Sequence, residues 1–249
     1  LAVEDGERLV GLAPWYVERH AIGGRGVRPL ASGDVCSDYL TILTTPGDER
    51  LVAAALADFL CDSSHAEWDR IDFDAAVVGA PPLDARVGQR LIRGADVDWR
   101  SGVNCWRVAL PSTWDEYLAT LSKSHRKQLR RLIDRSLDTP RGRWHTTTDV
   151  NEFDRDWTYF VDLHQRRRRS IGQPGCFTDP AFAAFHEDVA RQFLLQGRLR
   201  LHRLELDGRP IAAEYHLTGG RTIYAYQSGI DPAMLEEEPG RMAAIAVIR

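Results

Sequence analysis

Residues 199–241 read LRLHRLELDGRPIAAEYHLTGGRTIYAYQSGIDPAMLEEEPGR, and this stretch predicts three antiparallel strands followed by a helix. Asp207-Gly208 and Gly219-Gly220 supply the residues of two tight turns. The strands are therefore expected at Leu199–Leu206, Arg209–Thr218 and Arg221–Ile230. Pro239-Gly240-Arg241 then opens an apolar helix, whose first N–H groups and positive dipole end suit a phosphate-bearing ligand.

Further helices are predicted in front of these strands. Thr113 and Glu116 have capping-box spacing, and they open a long helix that is expected to run to about Ser136. Two more helices are predicted at Val150–Ser170 and Asp179–Leu195, the latter with Asp179 as N-cap and Pro180 at its first position.

The N-terminal part repeats the same plan. Asp5-Gly6 predicts a hairpin within residues 1–17, and Pro46-Gly47 precedes an apolar helix at Leu51–Leu60. This likeness predicts a tandem duplication of one α/β unit, with halves at 1–111 and 112–249. Asp48 and Glu49 follow Pro46-Gly47 and would repel a pyrophosphate, so the second half is predicted to be the ligand-binding copy. Between the two, a strand is predicted at 71–78, a helix at 83–92 and a strand at 103–110.

Composition limits the class of protein. The 249 residues are 43% hydrophobic, enough for a substantial core, and the net charge of −4 argues against a general polyanion binder. The four cysteines (Cys36, Cys61, Cys105, Cys176) lack metal-ligand spacing, so neither a metal site nor a disulfide framework is predicted. A reducing cytoplasm fits best, no membrane span is predicted, and the missing initiator Met and the helix cut at Arg249 predict a fragment.

Three motifs carry a resemblance to a known family: Leu121–Arg131 (LSKSHRKQLRR), Leu163–Phe177 (LHQRRRRSIGQPGCF) and Tyr224–Arg241 (YAYQSGIDPAMLEEEPGR). In order and spacing they resemble the FemAB-like, CelD-like acetyltransferases of the GNAT superfamily, which are linked to bacterial polysaccharide and cellulose biosynthesis. The resemblance implies an α/β fold of tandem GNAT-like halves, with mixed sheets flanked by helices. It also implies acetyl-CoA or another acyl-CoA as co-substrate, held partly by a strand beyond Arg249, so the C-terminal half is predicted to be truncated.

Acyl transfer needs a base for the acceptor, an acid near the departing sulfur and donors for the oxyanion. A Gly219-Gly220 turn would pair Thr218 with Arg221 and Glu214 with Ala225, which puts Glu214, His216 and Gln227 on one sheet face. Tyr215, Tyr224 and Tyr226 would lie on the other face. Glu214 or His216 is a candidate base and Tyr226 a candidate acid, but these roles are alternatives because the faces are opposite. Glu214 can equally be a solvated or salt-bridged strand residue, a structural role is favoured for His216, and tyrosines are more often packing residues than acids.

Cofactor contacts are predicted at Gln227, Ser228 and Gly229, where a strand N–H can stabilise an oxyanion, and at Pro239, Gly240 and Arg241. Glu236, Glu237 and Glu238 would then have to point away from a phosphate. The resemblance places Arg168, Cys176 and Phe177 beside the acceptor. Cys176 is not predicted to be a nucleophile, because no motif places a histidine to activate it.

The function predicted from these features is transfer of an acyl group from acyl-CoA to an amine or hydroxyl of a sugar or cell-envelope precursor. One alternative is a FemAB-type aminoacyl transferase that uses charged tRNA, and another is a non-catalytic anion- or RNA-binding module. RNA would dock on the basic segment Lys123–Arg143, although a solvated helix face is the favoured interpretation of that segment.

Overall fold

The computed structural model describes residues 1–20, 23–35, 37–62, 68–73, 76, 98, 100, 102 and 104–249. These residues form two compact units, Leu1–Arg107 and Val108–Arg249. No helix within the described ranges is both long and apolar enough to cross a membrane.

The first unit contains two small sheets and a helix among its described residues. In chain order its elements are β1 (Ala2–Asp5), β2 (Arg8–Leu12), β3 (Trp15–His20), β4 (Gly24–Pro29), β5 (Leu43–Thr44), α1 (Glu49–Cys61) and β6 (Arg70–Ile71). The sheets have the orders β1-β2-β5 and β3-β4-β6. The hairpin at Asp5-Gly6 and the helix after Pro46-Gly47 are confirmed, and Val52 and Leu56 of α1 pack on Val10.

Two predicted strands of the first unit need correction. The strand predicted at 71–78 is reduced to β6 and a single bridge between Leu40 and Ala76 in the part that is described. Residues 104–110, predicted as strand, have no regular secondary structure. The helix predicted at 83–92 lies outside the described residues.

The second unit is one antiparallel sheet flanked by helices. Its elements are α2 (Trp114–Thr120), α3 (Lys123–Leu132), β7 (Gly142–Thr146), α4 (Val150–Ser170), α5 (Pro180–Leu195), β8 (Leu199–Leu206), β9 (Arg209–Gly219), β10 (Thr222–Ile230) and α6 (Pro239–Ile248). The strand order is β10-β9-β8-β7, which makes β10 an edge strand among those described. Mixed α/β architecture is therefore confirmed for this unit.

The prediction of a single long helix at 113–136 is wrong, because the helix is interrupted between Thr120 and Lys123. The capping box forms, with Glu116 N–H donating to Thr113 Oγ1 (3.2 Å), but Leu121 and Ser122 are extended at ψ 157° and 154°. Ser122 caps α3 by accepting from His125 N–H at 3.3 Å. Local side-chain hydrogen bonding of this kind competes with helix continuation, and it splits the segment into α2 and α3.

The register of the last hairpin also differs from the prediction. Asp207 and Gly208 form the first turn, both at positive φ, as a type I′ turn requires. The second turn falls one residue later than predicted, because Gly219 pairs with Thr222. A bulge at Tyr226 then shifts the pairing again, so that Gln227 lies opposite Tyr215 and Ser228 opposite Glu214. Gln227 is consequently on the face of Tyr215 and not on that of Glu214.

The two faces of this sheet bury different cores. On the aromatic face, α4 and α5 cover a cluster that includes Phe153, Trp157, Phe160, Phe177 and Tyr215. On the aliphatic face, α3 and α6 cover a cluster that includes Leu129, Leu132, Leu204, Ile211, Met242 and Ile245. Alternation along β8 divides its leucines between the faces, and full burial of each large apolar side chain contributes about 1.5–3 kcal/mol.

Candidate functional site

The path from β10 to α6 is fixed by a buried carboxylate. Asp231, fully buried, follows the last residue of β10 and pairs with the guanidinium groups of Arg166 and Arg209. Its backbone N–H donates to Ile211 O (2.8 Å), and its Oδ1 accepts from Ala233 N–H (3.0 Å). A buried charge with several partners holds one geometry, and here it sets where α6 begins.

The first turn of α6 is open to a ligand. Glu238, the N-cap residue, has φ +58°, and no side chain within the described part of the chain caps the helix. The N–H groups of Gly240 and Arg241 therefore lie at the positive end of the helix dipole. Of the acidic residues before Pro239, Glu237 turns toward Arg135 (3.2 Å) and Arg141 (3.4 Å). Glu238 does not point away as the sequence analysis required, because its carboxylate pairs with Arg241.

The predicted cofactor residues of β10 lie against α4. Gly229 is buried, and a Cβ added to it would lie 2.3 Å from the backbone N of His164. Gln227 is half-buried, and its side chain lies close enough to His164 to raise the pKa of that residue against the effect of burial. Ser228 is exposed. His164 is thus the residue that joins this part of β10 to the helix.

His164 was missed by the sequence analysis, although it lies within the quoted motif LHQRRRRSIGQPGCF. Its Nδ1 lies 3.1 Å from Gln165 Oε1, and its Nε2 lies 3.8 Å from Cys176 Sγ. Burial and the nearby charge of Arg168 lower the pKa of His164, which favours the neutral imidazole. The sequence analysis found no motif that places a histidine near Cys176, but the structure brings His164 there, because a loop returns the chain over a separation of twelve residues.

The predicted acceptor residues surround the same loop. Arg168 donates to Gln173 Oε1 (2.9 Å), and Cys176 is half-buried. Phe177 is 8% exposed and meets the His164 ring edge-on at 5.1 Å between centroids. The loop closes tightly because Gly175 has φ +78°, and a Cβ there would lie 2.1 Å from Gln165 Oε1.

Tyr226, the candidate acid, lies on the aromatic face. Its hydroxyl is 2.9 Å from Nε2 of His186 on α5, and its ring meets Tyr215 edge-on at 5.5 Å. Burial lowers the pKa of His186. The predicted grouping of Tyr215 with Tyr226 on one face is confirmed.

Glu214 and His216, the candidate bases, share the aliphatic face. His216 Nε2 lies 3.2 Å from Glu214 Oε2, and the His216 ring lies 5.6 Å from that of His202. His202 stacks on Trp144 and bonds through Nδ1 to Thr146 Oγ1 at 2.9 Å. Burial and the neighbouring charges of His216 and Arg200 lower the pKa of His202 to about 4. The structure therefore places the two catalytic alternatives on opposite faces.

The basic segment is partly neutralised. Arg135 and Arg141 pair with Glu237, and Arg126 donates to backbone carbonyls at the end of α2. Lys123, Lys127, Arg130 and Arg131 on α3 form no ion pair with described residues. Together with Arg126, Asp134 and Arg135, these side chains border an open depression of about 850 Å³.

A separate polar cluster lies near the start of α4. His145, Glu152 and Asp156 each bring one possible ligand atom within 4.8 Å of the others. The Asp156 carboxylate is already bonded to Thr147 Oγ1 (2.8 Å) and to Arg155 Nε (3.0 Å), and Arg203 Nε is 3.5 Å away. These partners balance its charge, as in an ion-pair network.

An antiparallel sheet between helices, with an edge strand leading to an uncapped helix start, is the plan expected of an acyl-CoA-dependent transferase. A family profile described as "Acetyltransferase (GNAT) domain" matches residues 123–249, just over half of the chain. The chain therefore belongs to the GNAT acetyltransferase family, whose members use acyl-CoA as co-substrate. No curated protein matches the chain at a significant level.

Proposed function

We propose that this protein transfers an acetyl or other acyl group from acyl-CoA to an amine or hydroxyl of a sugar or cell-envelope precursor. The observation that carries the proposal is the uncapped start of α6, the first α-helix after β10, which is an edge strand among those described, in a chain of the GNAT family. The N–H groups of Gly240 and Arg241 would hold the pyrophosphate of the cofactor. The outer edge of β10 around Gln227–Gly229, along which no described strand pairs, would accompany its pantetheine arm and offer a donor to the oxyanion.

Substitution of Arg241 tests the proposed binding site for acyl-CoA, because the Arg241 guanidinium already forms an ion pair with the carboxylate of Glu238. A pyrophosphate must compete with that carboxylate for the guanidinium. Arg241→Ala is expected to weaken acetyl-CoA binding by about tenfold or more, since a charge-assisted hydrogen bond contributes about 1.5–3 kcal/mol. Glu238→Gln is expected to strengthen it, because it releases Arg241 and removes a negative charge.

Isothermal calorimetry with acetyl-CoA measures both effects. Arg191→Ala is the matched control, because Arg191 also pairs with a carboxylate of its own helix, Glu187, but lies on α5. Equal losses in Arg241→Ala and Arg191→Ala, or weaker binding in Glu238→Gln, would refute the proposed phosphate site.

Of the two catalytic alternatives, we favour Tyr226 as the acid that protonates the departing sulfur. Gln227, Cys176 and Phe177 lie on the face of Tyr226, whereas Glu214 and His216 lie on the other face. His186 would return a proton to the Tyr226 hydroxyl. Tyr226→Phe is expected to lower kcat/KM by about 10²-fold, the lower end of general acid–base effects, while Glu214→Gln changes it only slightly. Steady-state kinetics in which Glu214→Gln is the more damaging change would reverse this assignment.

The acceptor class in this proposal comes from the resemblance to FemAB-like, CelD-like acetyltransferases. Arg168, at the end of α4, is proposed to contact a negatively charged part of the acceptor, which would suit a nucleotide-sugar precursor. A screen of amino sugars and nucleotide sugars, with release of free CoA as the signal, tests this class. Activity on simple amines only, unchanged in Arg168→Ala, would exclude it.

One observation favours a second candidate. The cations of α3 that have no partner among the described residues could dock RNA, as the charged-tRNA alternative or an RNA-binding module would require. In that case tRNA would bind with a steep salt dependence and acetyl-CoA would not bind. Lys127→Glu with Arg131→Glu would abolish the tRNA binding, whereas it would leave acetyl-CoA binding unchanged if the first proposal holds.

A further inference from the structure

Four cations of α3 that form no ion pair with described residues make one continuous basic stripe. Lys123, Lys127 and Arg131 follow one another at intervals of four residues, and Arg130 lies three residues after Lys127, so all four share one side of the helix. All four are exposed, while the opposite side of α3 packs in the aliphatic core. A concentrated positive charge at the surface attracts an anionic partner.

The basic stripe leads toward the start of α6. Arg135, in the π-helical turn Ile133–Leu137 that follows α3, borders the same depression as the stripe. Its Nη2 lies 3.2 Å from the Glu237 carboxylate and donates to the Glu237 backbone oxygen at 3.3 Å. Glu237 directly precedes Glu238, the N-cap residue of α6. The stripe is therefore continuous with the surface beside the proposed phosphate site.

The acidic residues at this junction do not cancel the charge of the stripe. Glu237 and Glu238 are both paired with arginines. Asp134 and Glu236 are exposed and form no ion pair within the described part of the chain. Four cations of the stripe face these two carboxylates, so the surface keeps an excess of positive charge.

The length of the stripe helps to identify its partner. At a rise of 1.5 Å per residue, the stripe extends about 12 Å along α3, which suits an acidic surface of another protein better than a single phosphate. The helix contains no Phe, Tyr or Trp on which nucleic-acid bases would stack. Charge complementarity without stacking therefore favours an acidic protein over RNA.

The chemistry of the donor specifies this protein further. Phosphopantetheine is the part of acyl-CoA proposed to lie along β10 and at the start of α6, and the same group carries acyl chains on carrier proteins. In a carrier, its phosphate is esterified to a side chain of the protein. A phosphate held by the N–H groups of Gly240 and Arg241 would bring the carrier surface against the start of α6 and the adjoining stripe.

We propose that the basic stripe of α3 docks an acidic carrier protein whose phosphopantetheine arm delivers the acyl group; this inference rests on the proposed function. The reacting group is the same thioester as in acyl-CoA. The bond between the acyl carbon and the pantetheine sulfur breaks, and the sulfur gains a proton from Tyr226. The acceptor nitrogen or oxygen gains the acyl group and loses a proton, so no further reactant is needed.

Isothermal calorimetry with an acidic acyl carrier protein tests the docking, using the acetylated carrier and the apo carrier that lacks the arm. We expect the acetylated carrier to bind more tightly than the apo carrier, and both affinities to fall as salt is added. Lys127→Glu with Arg131→Glu is expected to weaken binding of the acetylated carrier by about tenfold or more, because like charges then face each other. The same variant should bind acetyl-CoA as the parent protein does, which also shows that it is folded.

Arg50→Glu with Arg221→Glu is the matched control. Both residues are exposed and lie outside the stripe, and the double substitution changes the net charge by the same amount. The control should bind the acetylated carrier nearly as well as the parent protein. Equal losses in the two double variants would reflect general repulsion and would overturn the inference.

The other outcomes separate this inference from the proposed function. Binding of acetyl-CoA without binding of the acetylated carrier overturns the inference and leaves the proposed function intact, as does equal affinity for the acetylated and apo carriers. Binding of tRNA or of vesicles that contain an anionic lipid, in place of the carrier, would assign the stripe to that partner and overturn the inference. Absence of binding to both acetyl-CoA and the acetylated carrier overturns both proposals.

Discussion

The aromatic and aliphatic faces of the four-stranded sheet both bury histidines, but they give them different partners. On the aromatic face His164 meets a thiol and His186 meets the hydroxyl of Tyr226. On the aliphatic face His202 meets Thr146 and His216 meets the carboxylate of Glu214. A thiol, a phenol and a carboxylate can each exchange a proton with imidazole, whereas His202 and Thr146 form an ordinary buried hydrogen bond. Burial alone therefore does not identify a candidate catalytic histidine, and the chemical nature of its partner narrows the candidates to those beside a thiol, a phenol or a carboxylate.

Removal of Asp156 should have the largest effect on the aromatic face. Burial raises the pKa of this carboxyl, but the hydrogen bonds from Arg155 and Thr147 and the charge of Arg203 hold it below its usual value. Asp156→Ala would leave Arg203, whose side chain is 12% exposed, without this partner, and such losses cost about 3–5 kcal/mol. Urea denaturation should show a lower free energy of unfolding by about that amount.

The control for Asp156 is Asp162, an exposed carboxylate of the same helix that pairs with Arg166. Exposed pairs of this type contribute about 0–1 kcal/mol, so Asp162→Ala should change the free energy of unfolding only slightly. Equal losses in the two variants would show that the buried network does not stabilise the contact between α4 and β8.

Among the groups on the aliphatic face, His202 should make the largest contribution to the loss of folding stability at low pH. Its pKa is about 4 in the folded protein against 6.5 for an ordinary histidine, so the unfolded chain binds its proton more readily. Stability is complete above pH 6.5 and falls as the pH is lowered toward 4. The loss is about 3 kcal/mol, because each unit of difference is worth about 1.4 kcal/mol.

Unfolding measured between pH 4 and pH 7 in His202→Gln tests this expectation, since glutamine keeps a hydrogen-bonding group but cannot titrate. The variant should lose most of the acid slope that His202 causes. Some slope should remain from His164 and His186, whose pKa values burial also lowers. His125 on the exposed surface of α3 is the control, and an effect of His125→Gln as large as that of His202→Gln would contradict the assignment.

Local signals in the sequence identified most elements of the second unit. Asp207-Gly208 fixes its turn because both residues adopt positive φ, and Asp179 with Pro180 marks the start of α5. The register of β9 and β10 was not predictable in this way. It depends on the bulge at Tyr226, which lets Tyr226 and Gln227 both lie on the side of Tyr215, and the turn sequence contains no sign of it.

The candidate site was predicted in parts and assembled only by the fold. Gln227 was chosen from one motif and Cys176 and Phe177 from another, and the structure brings them together around His164. In the sequence, His164 cannot be told apart from the other polar residues of a long helix. Its contact with Cys176 forms only because the chain turns back at Gly175. Contacts between residues that are distant along the chain follow from packing, which periodicity and spacing do not encode.

The two glycines predicted to contact the cofactor, Gly229 and Gly240, differ in whether their surroundings leave room for a Cβ atom. Alanine substitutions at these positions are expected to have the smallest effects, but they test the cofactor contact most specifically. Gly229→Ala should cost about 1–3 kcal/mol, because its Cβ would lie 2.3 Å from the backbone of His164 and force α4 away from β10. Gly240→Ala should be harmless to folding, since its Cβ would meet the Ile230 side chain at an ordinary 3.6 Å and alanine favours a helix. Thermal unfolding of both variants, with acetyl-CoA calorimetry of each, separates packing from ligand contact. If Gly240→Ala folds normally but binds acetyl-CoA more weakly, glycine is needed at this position for ligand binding. Unchanged binding would mean that the phosphate does not come close enough to Gly240 for a side chain to interfere.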